Sequence, residues 1–197
     1  MVKPMTKPLY LFVGPSGSGK TTVVDVLECQ YRYKCLQSYT TRSPRYENEY
    51  GHIFISDEEF DALTDIIAYT EYNGHRYCAT EGLLNDADLY VVDCDGVETL
   101  LNRYSDKDRL ICIFYFDTTV STRISRMLDR GDSDMQIVSR LHSDEQFDWY
   151  DRLNKLVWDH SKLHDRNIEL YKINANYAQI DVVDQVLYYI NKVEESE

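Results

Sequence analysis

Short apolar runs alternate with longer amphipathic stretches along most of this chain. Residues Leu9–Val13, 89–95 and 110–116 read as strands buried on both faces, and 110–116 is the most apolar of the three. Residues 34–39 read as a second short strand and 168–173 as a late one. Between these runs the spacing changes to helical. Residues 21–28 form a first helix, and 118–163 is helical with a break at Gly131. The stretch 180–193 is an amphipathic helix with Val182, Val183, Val186, Leu187 and Ile190 on one side. Strands alternating with helices predict an α/β fold with a mainly parallel sheet flanked by helices on both faces. Ligands in such folds bind at the carboxyl ends of the strands.

The segment between the second and third of these runs departs from the alternation. Residues 40–51 are polar, contain Arg42, Pro44, Arg45 and Gly51, and read as a loop that leaves the core. A strand-like run at 52–55 follows. Ser56 with Glu59 then forms a capping box, opening a helix edged by Phe60 and Leu63. Residues 66–72 and 75–79 flank Asn73-Gly74, which predicts a β-hairpin.

Composition narrows the class. With 197 residues and 43% hydrophobic content, the chain suits one domain with a full core. No apolar run approaches the roughly 20 residues that span a bilayer, and residues 1–8 lack the apolar segment of a signal peptide. Five cysteines are scattered with no C-x-x-C pair, so buried free thiols, a cytoplasmic setting and no structural zinc are expected. The net charge of −13 argues against a nucleic-acid polymer as partner. A small phosphorylated ligand remains open to it, provided that arginines cluster locally. The 17 tyrosines show no repeat.

The first apolar run leads directly into Gly14-Pro15-Ser16-Gly17-Ser18-Gly19-Lys20-Thr21, which fits G-x-x-x-x-G-K-[ST] between a strand and a helix. In that motif glycines turn backbone N–H groups inward, and the helix N-terminus adds partial positive charge where phosphates sit. Gly14, Ser16, Gly17, Ser18, Gly19, Lys20, Thr21 and Thr22 are therefore the expected ATP site. Lys20 would reach the β- and γ-phosphates, and the Thr21 hydroxyl would bind Mg2+. The run at 89–95 ends in Asp93 and Asp95. Asp93 is the expected second Mg2+ residue, directly or through water. Asp95 would point to the same side if the strand continues, toward an acceptor. Strand-end turn residues are the other reading of this pair.

Two arginine groups bracket this core. Arg42 and Arg45 flank Pro44, and Arg123, Arg126 and Arg130 share i, i+3, i+7 spacing ahead of Arg140. Planar guanidinium groups suit phosphate oxygens; salt bridging to Asp129, Asp132 and Asp134 is the competing reading.

Taken together, these motifs resemble the guanylate kinase family of P-loop nucleoside monophosphate kinases. The resemblance rests on the loop 14–21, the segment 38–45, the hairpin 73–77, the run 91–95, and 126–131 with Arg140-Leu141 downstream. It implies a single domain: a core at about 1–37, 83–117 and 149–197, a monophosphate-binding insertion at about 38–82 and a helical lid at about 118–148. By position it implies that Arg42, Arg45 and Tyr77 hold the acceptor phosphate and Ser38 touches the base. Arg126, Arg130 and Arg140 would close onto the transferred phosphoryl group, and Asn174 would contact the ATP adenine. A monomer or homodimer acting on small-molecule nucleotides is expected, with no membrane partner.

The departures fall on the acceptor side. Ala68 stands where the family places a guanine-reading glutamate, and Ala79 where it has a base-reading hydroxyl. His52 falls where a phosphate-binding tyrosine is expected, the segment before Phe54 being about two residues short. Phosphoryl transfer to a (deoxy)nucleoside monophosphate with altered or relaxed base selectivity is the resulting expectation. A sugar-phosphate kinase of the same family and a non-catalytic binding module remain as alternatives.

Overall fold

The computed structural model describes residues 7–44, 47–72, 74–145 and 148–195. In chain order the elements are β1 (Leu9–Val13), α1 (Lys20–Tyr31), β2 (Ser38–Thr40), β3 (His52–Phe54), α2 (Asp57–Asp61), β4 (Ile66–Tyr72), β5 (His75–Thr80) and α3 (Glu81–Asn85). They continue with β6 (Leu89–Val91), α4 (Cys94–Arg103), β7 (Ile111–Asp117), α5 (Val120–Asp129), α6 (Asp134–Glu145), α7 (Trp149–Leu163), β8 (Ile168–Asn174) and α8 (Gln179–Glu194).

Four strands form a parallel core sheet in the order β6-β1-β7-β8. Alternation along β1 sends Leu9, Leu11 and Val13 into one apolar cluster with Leu100, Leu101 and Leu153, contributed by α4 and α7. Tyr10 and Phe12 enter the opposite cluster with Val23, Leu27, Val186 and Ile190, from α1 and α8. Tyr10 stacks on Phe114 across the sheet, ring centroids 5.8 Å apart. Both faces are thus covered, and this is why β1 and β7 contain almost no polar residue.

A second sheet, in the order β3-β2-β5-β4, is built from residues 38–80. Its β2–β3 pair is parallel and the other two pairs are antiparallel. The capping box opens α2 as expected, with Ser56 accepting from the Glu59 N–H and the Glu59 carboxylate from the Ser56 N–H. Asn73, in the hairpin turn, lies outside the described residues, but β4 and β5 pair as the hairpin requires.

Three expectations change. Residues 34–39 are not one strand: Cys35 makes a single parallel bridge to Leu89 at the core-sheet edge, and the chain then crosses to the second sheet at Ser38. The run 89–95 ends as a strand at Val91, because the Asp93 carboxylate accepts the Gly96 N–H at 2.8 Å and caps α4. A Cβ at position 96 would stand 2.4 Å from Val92 Cγ2, so any larger residue there would have to displace that side chain. Of the five free cysteines, Cys78, Cys94 and Cys112 are buried, whereas Cys29 is exposed on α1. No helix among the described residues is long and apolar enough to cross a membrane.

Candidate functional site

The loop between β1 and α1 is shaped by close backbone approach. A Cβ on Gly14 would lie 3.0 Å from the Phe116 carbonyl oxygen, so the loop rests directly on β7. Gly17, at φ +77°, leaves room for the Arg123 carbonyl of α5, which a Cβ would meet at 2.8 Å. Gly19 is the N-cap of α1 in the left-handed region, and no side chain caps that terminus. The first-turn N–H groups and the positive end of the helix dipole therefore face outward, an arrangement that receives anions. Thr21 and Thr22 are exposed in this turn.

Lys20 folds back over the loop. Its Nζ donates to Gly14 O at 2.5 Å, Pro15 O at 2.9 Å and Ser18 Oγ at 3.3 Å. All three partners are neutral. Desolvation lowers its pKa to about 8, with the nearby Asp144 carboxylate partly opposing that shift.

A cavity of about 250 Å³ runs from this loop to the second sheet. Gly14, Ser16 and Lys20 line its loop end, Asp93 and Asp95 its floor, and Ser38, His52 and Tyr77 its far wall. The far wall follows from strand register: Ser38 lies opposite His52 across β2–β3, and Thr40 opposite Tyr77 across β2–β5. Ser38 Oγ and His52 Nδ1 are 2.9 Å apart, and the His52 and Tyr77 rings meet edge to face at 5.7 Å. Burial raises the pKa of Asp93, against the Gly96 N–H that stabilises its carboxylate.

Arg42 lies beside this wall, in a hollow that it shares with Tyr77 and Arg140. Its guanidinium donates to both Glu49 oxygens, at 2.9 and 3.0 Å, and lies over the Phe54 ring. Arg45 lies outside the described residues. Arg126 reaches the phosphate loop, donating to Ser18 O at 3.0 Å and to Tyr177 O at 3.1 Å. Burial lowers its pKa. Both of those partners are carbonyls.

Several residues sit differently from the expectation. Arg130, the C-cap of α5, pairs with Asp132. Arg140 also approaches Asp132, at 3.5 Å. These contacts follow the salt-bridging reading. Asp95 belongs to the first turn of α4 rather than to a strand, and it pairs with Arg152 at 2.6 Å. Ala68 and Ala79 face each other across β4–β5 inside the apolar core and are not among the residues that line the cavity. Asn174 is the exposed last residue of β8, and its Oδ1 accepts from the Asn176 backbone and side-chain N–H groups.

The cavity also has contributors that local motifs do not mark: Tyr69, Tyr72, Tyr90, Trp149, Arg152 and Asp144. The tyrosines belong to runs that read as ordinary strands. Trp149 and Arg152 sit on an amphipathic helix, where only the tertiary fold tells a cavity face from a core face.

No protein-family model matches the chain. Among curated proteins it is 29% identical over 144 residues to a guanylate kinase of Cupriavidus metallidurans, a match covering 67% of this chain and 65% of that protein. It is 28% identical over 148 residues to a guanylate kinase of Bacteroides thetaiotaomicron, covering 70% of this chain and 72% of that one. The chain thus spans about two thirds of the length of the curated relatives it matches. The crystal structure of guanylate kinase from Anaplasma phagocytophilum superimposes with a TM-score of 0.53 at 15% identity, over 98% of this chain and 88% of that one, a likeness of fold. The chain is thus similar to guanylate kinases in sequence over about two thirds of its length and in fold over nearly all of it.

Proposed function

We propose that this protein transfers the γ-phosphoryl group of ATP to a (deoxy)nucleoside monophosphate. One observation carries the reading: a single cavity is lined at one end by the phosphate loop with Lys20 and at the other by Ser38, His52 and Tyr77. A donor and an acceptor held in one such space are converted from separate solutes into aligned reactants. Residues 38–82 would serve as the monophosphate-binding insertion and 118–148 as the lid. The curated relatives are named guanylate kinases.

The residues present fit a triphosphate with its metal. The uncapped start of α1, the neutral partners of Lys20 and the carbonyl partners of Arg126 leave positive charge unneutralised around the loop. Thr21 and Asp93 would hold Mg2+, whose preference for carboxylate, hydroxyl, phosphate and water oxygens matches that small donor set. When bound, the ion neutralises charge on the phosphate oxygens. The chain's own residues do the rest. Lys20 and Arg126 stabilise the charge that spreads over the moving group. Arg42, held beside Tyr77 by Glu49, and Arg45 with Tyr77 orient the acceptor phosphate. His52, bonded to Ser38, forms the wall behind it.

The acceptor base is expected to be selected loosely. Strict readout needs a buried polar group that the wrong base leaves unpaired. Ala68 and Ala79 offer none, and tyrosines supply much of the remaining wall. A panel of ribo- and deoxyribonucleoside monophosphates with a sugar phosphate, assayed by ADP release, tests both parts. Turnover of several bases is the expected result. A strong signal confined to GMP and dGMP would overturn the relaxed selectivity, and turnover of the sugar phosphate alone would overturn the nucleotide acceptor.

A further inference from the structure

The phosphate loop is held from outside by two residues that its motif does not include. Arg123 lies on α5 and Asp144 near the end of α6, and their side chains are 6% and 4% exposed. Asp144 Oδ2 accepts the Ser16 N–H at 2.9 Å and also accepts from Arg123 Nη2. Arg123 Nε in turn donates to Ser16 O at 2.8 Å. Both backbone polar groups of Ser16 are therefore taken by two side chains that also hold each other, in a closed ring. Trp149 Nε1 donates to the Asp144 carbonyl at 3.2 Å and fixes the end of α6 that carries the carboxylate.

The loop has reason to need such a clamp. Glycines at 14, 17 and 19 give it wide conformational freedom. Beyond Ser16, a Cβ on Gly17 would stand 2.8 Å from the Arg123 carbonyl oxygen, so the ring and this close approach act on adjacent residues. The pair is neutral as a unit. It fixes geometry without cancelling the charge on Lys20 that a triphosphate would meet.

Building on the phosphotransfer reading above, we propose that Arg123 and Asp144 are positioning residues that hold the Ser16 peptide, and with it the phosphate loop, in the shape that receives the donor's phosphates. Three variants test this: Asp144→Ala, Asp144→Asn, and the double variant Arg123→Met/Asp144→Leu. Removing one member of a buried ion pair strands the other charge and lowers stability, whereas replacing both with apolar residues of similar volume is often neutral or stabilising. The double variant thus separates folding from positioning. The expected result is an ATP KM raised roughly ten- to hundredfold, with kcat lowered and acceptor KM unchanged, in the double variant as well as in the single ones. A double variant with wild-type melting temperature, ATP KM and kcat would overturn the proposal.

Amide hydrogen exchange across residues 14–20 in the nucleotide-free protein gives an independent readout. Exchange of Ser16 should quicken about tenfold or more in Asp144→Ala, because its N–H loses a buried acceptor. Unchanged exchange would also overturn the proposal. Faster exchange in a protein that transfers no phosphoryl group to any acceptor would leave the clamp standing and sink the phosphotransfer reading alone.

Discussion

Individual residues around the phosphate loop combine backbone geometry with charge. Gly17 and Gly131 both have positive φ, at +77° and +89°, yet only Gly17 has backbone packed where a side chain would go. Gly17→Ala should therefore cost about 1–3 kcal/mol in denaturant unfolding and exceed Gly131→Ala measured in the same way. Equal losses would mean that φ alone matters and that the contact with Arg123 is slack. The loop was legible in the sequence because its chemistry is contiguous: eight residues carry the turn, the cation and the hydroxyl. Asp144 was not. Its partners Ser16 and Arg123 are distant in sequence, and an aspartate near the end of an amphipathic helix looks like any solvated carboxylate until the helices are packed.

At the level of elements, helix ends and strand ends settle what the side chains do. Asp93 has two roles, capping α4 through the Gly96 N–H and offering a carboxylate to the cavity. Serine can cap a helix but cannot supply the charge. Asp93→Ser should keep the unfolding free energy within about 1 kcal/mol of wild type while lowering Mg2+-dependent turnover about 100-fold or more. Loss of stability with turnover retained would make the cap its main role. The same capping explains why Asp95 could not be placed from an alternating strand pattern: Asp93 starts a helix, and the alternation stops there.

The other end of α7 supplies a pH dependence. His160 is buried, and its Nδ1 has no hydrogen-bond partner among the described residues. Burial, then the neighbouring His164 and Arg166, hold its pKa below the ordinary 6.5, with Asp159 and Glu98 opposing. Folding thus favours the neutral ring. The stability it contributes is complete above the ordinary pKa and is lost as pH falls below that value toward the folded one. His160→Gln should shrink the fall in melting temperature between about pH 7.5 and pH 5.5 by a few degrees. An unchanged fall would show that other groups set the acid sensitivity.

For the whole molecule, the central relation is between two sheets. The parallel sheet carries the phosphate loop at the end of β1 and Asp93 beyond β6, and the smaller sheet brings Ser38, His52 and Tyr77 to the same cavity. Alternation of apolar runs made the parallel sheet legible, since strands buried on both faces leave a strong compositional mark. Residues 38–80 were readable as strands and a hairpin. Their pairing order was not, because β2–β3 is parallel and its register joins residues separated by a polar loop.

The central claim is phosphoryl transfer between two nucleotides in that cavity. The most direct measurement follows the label of γ-32P ATP, incubated with Mg2+ and a mixture of nucleoside monophosphates, for the wild-type protein and Lys20→Ala. Label on a nucleoside diphosphate with the wild type, and at least about 100-fold less with a folded Lys20→Ala, is the expected result. Label that stays on ATP or appears only as inorganic phosphate, or equal transfer by the two proteins, would contradict it.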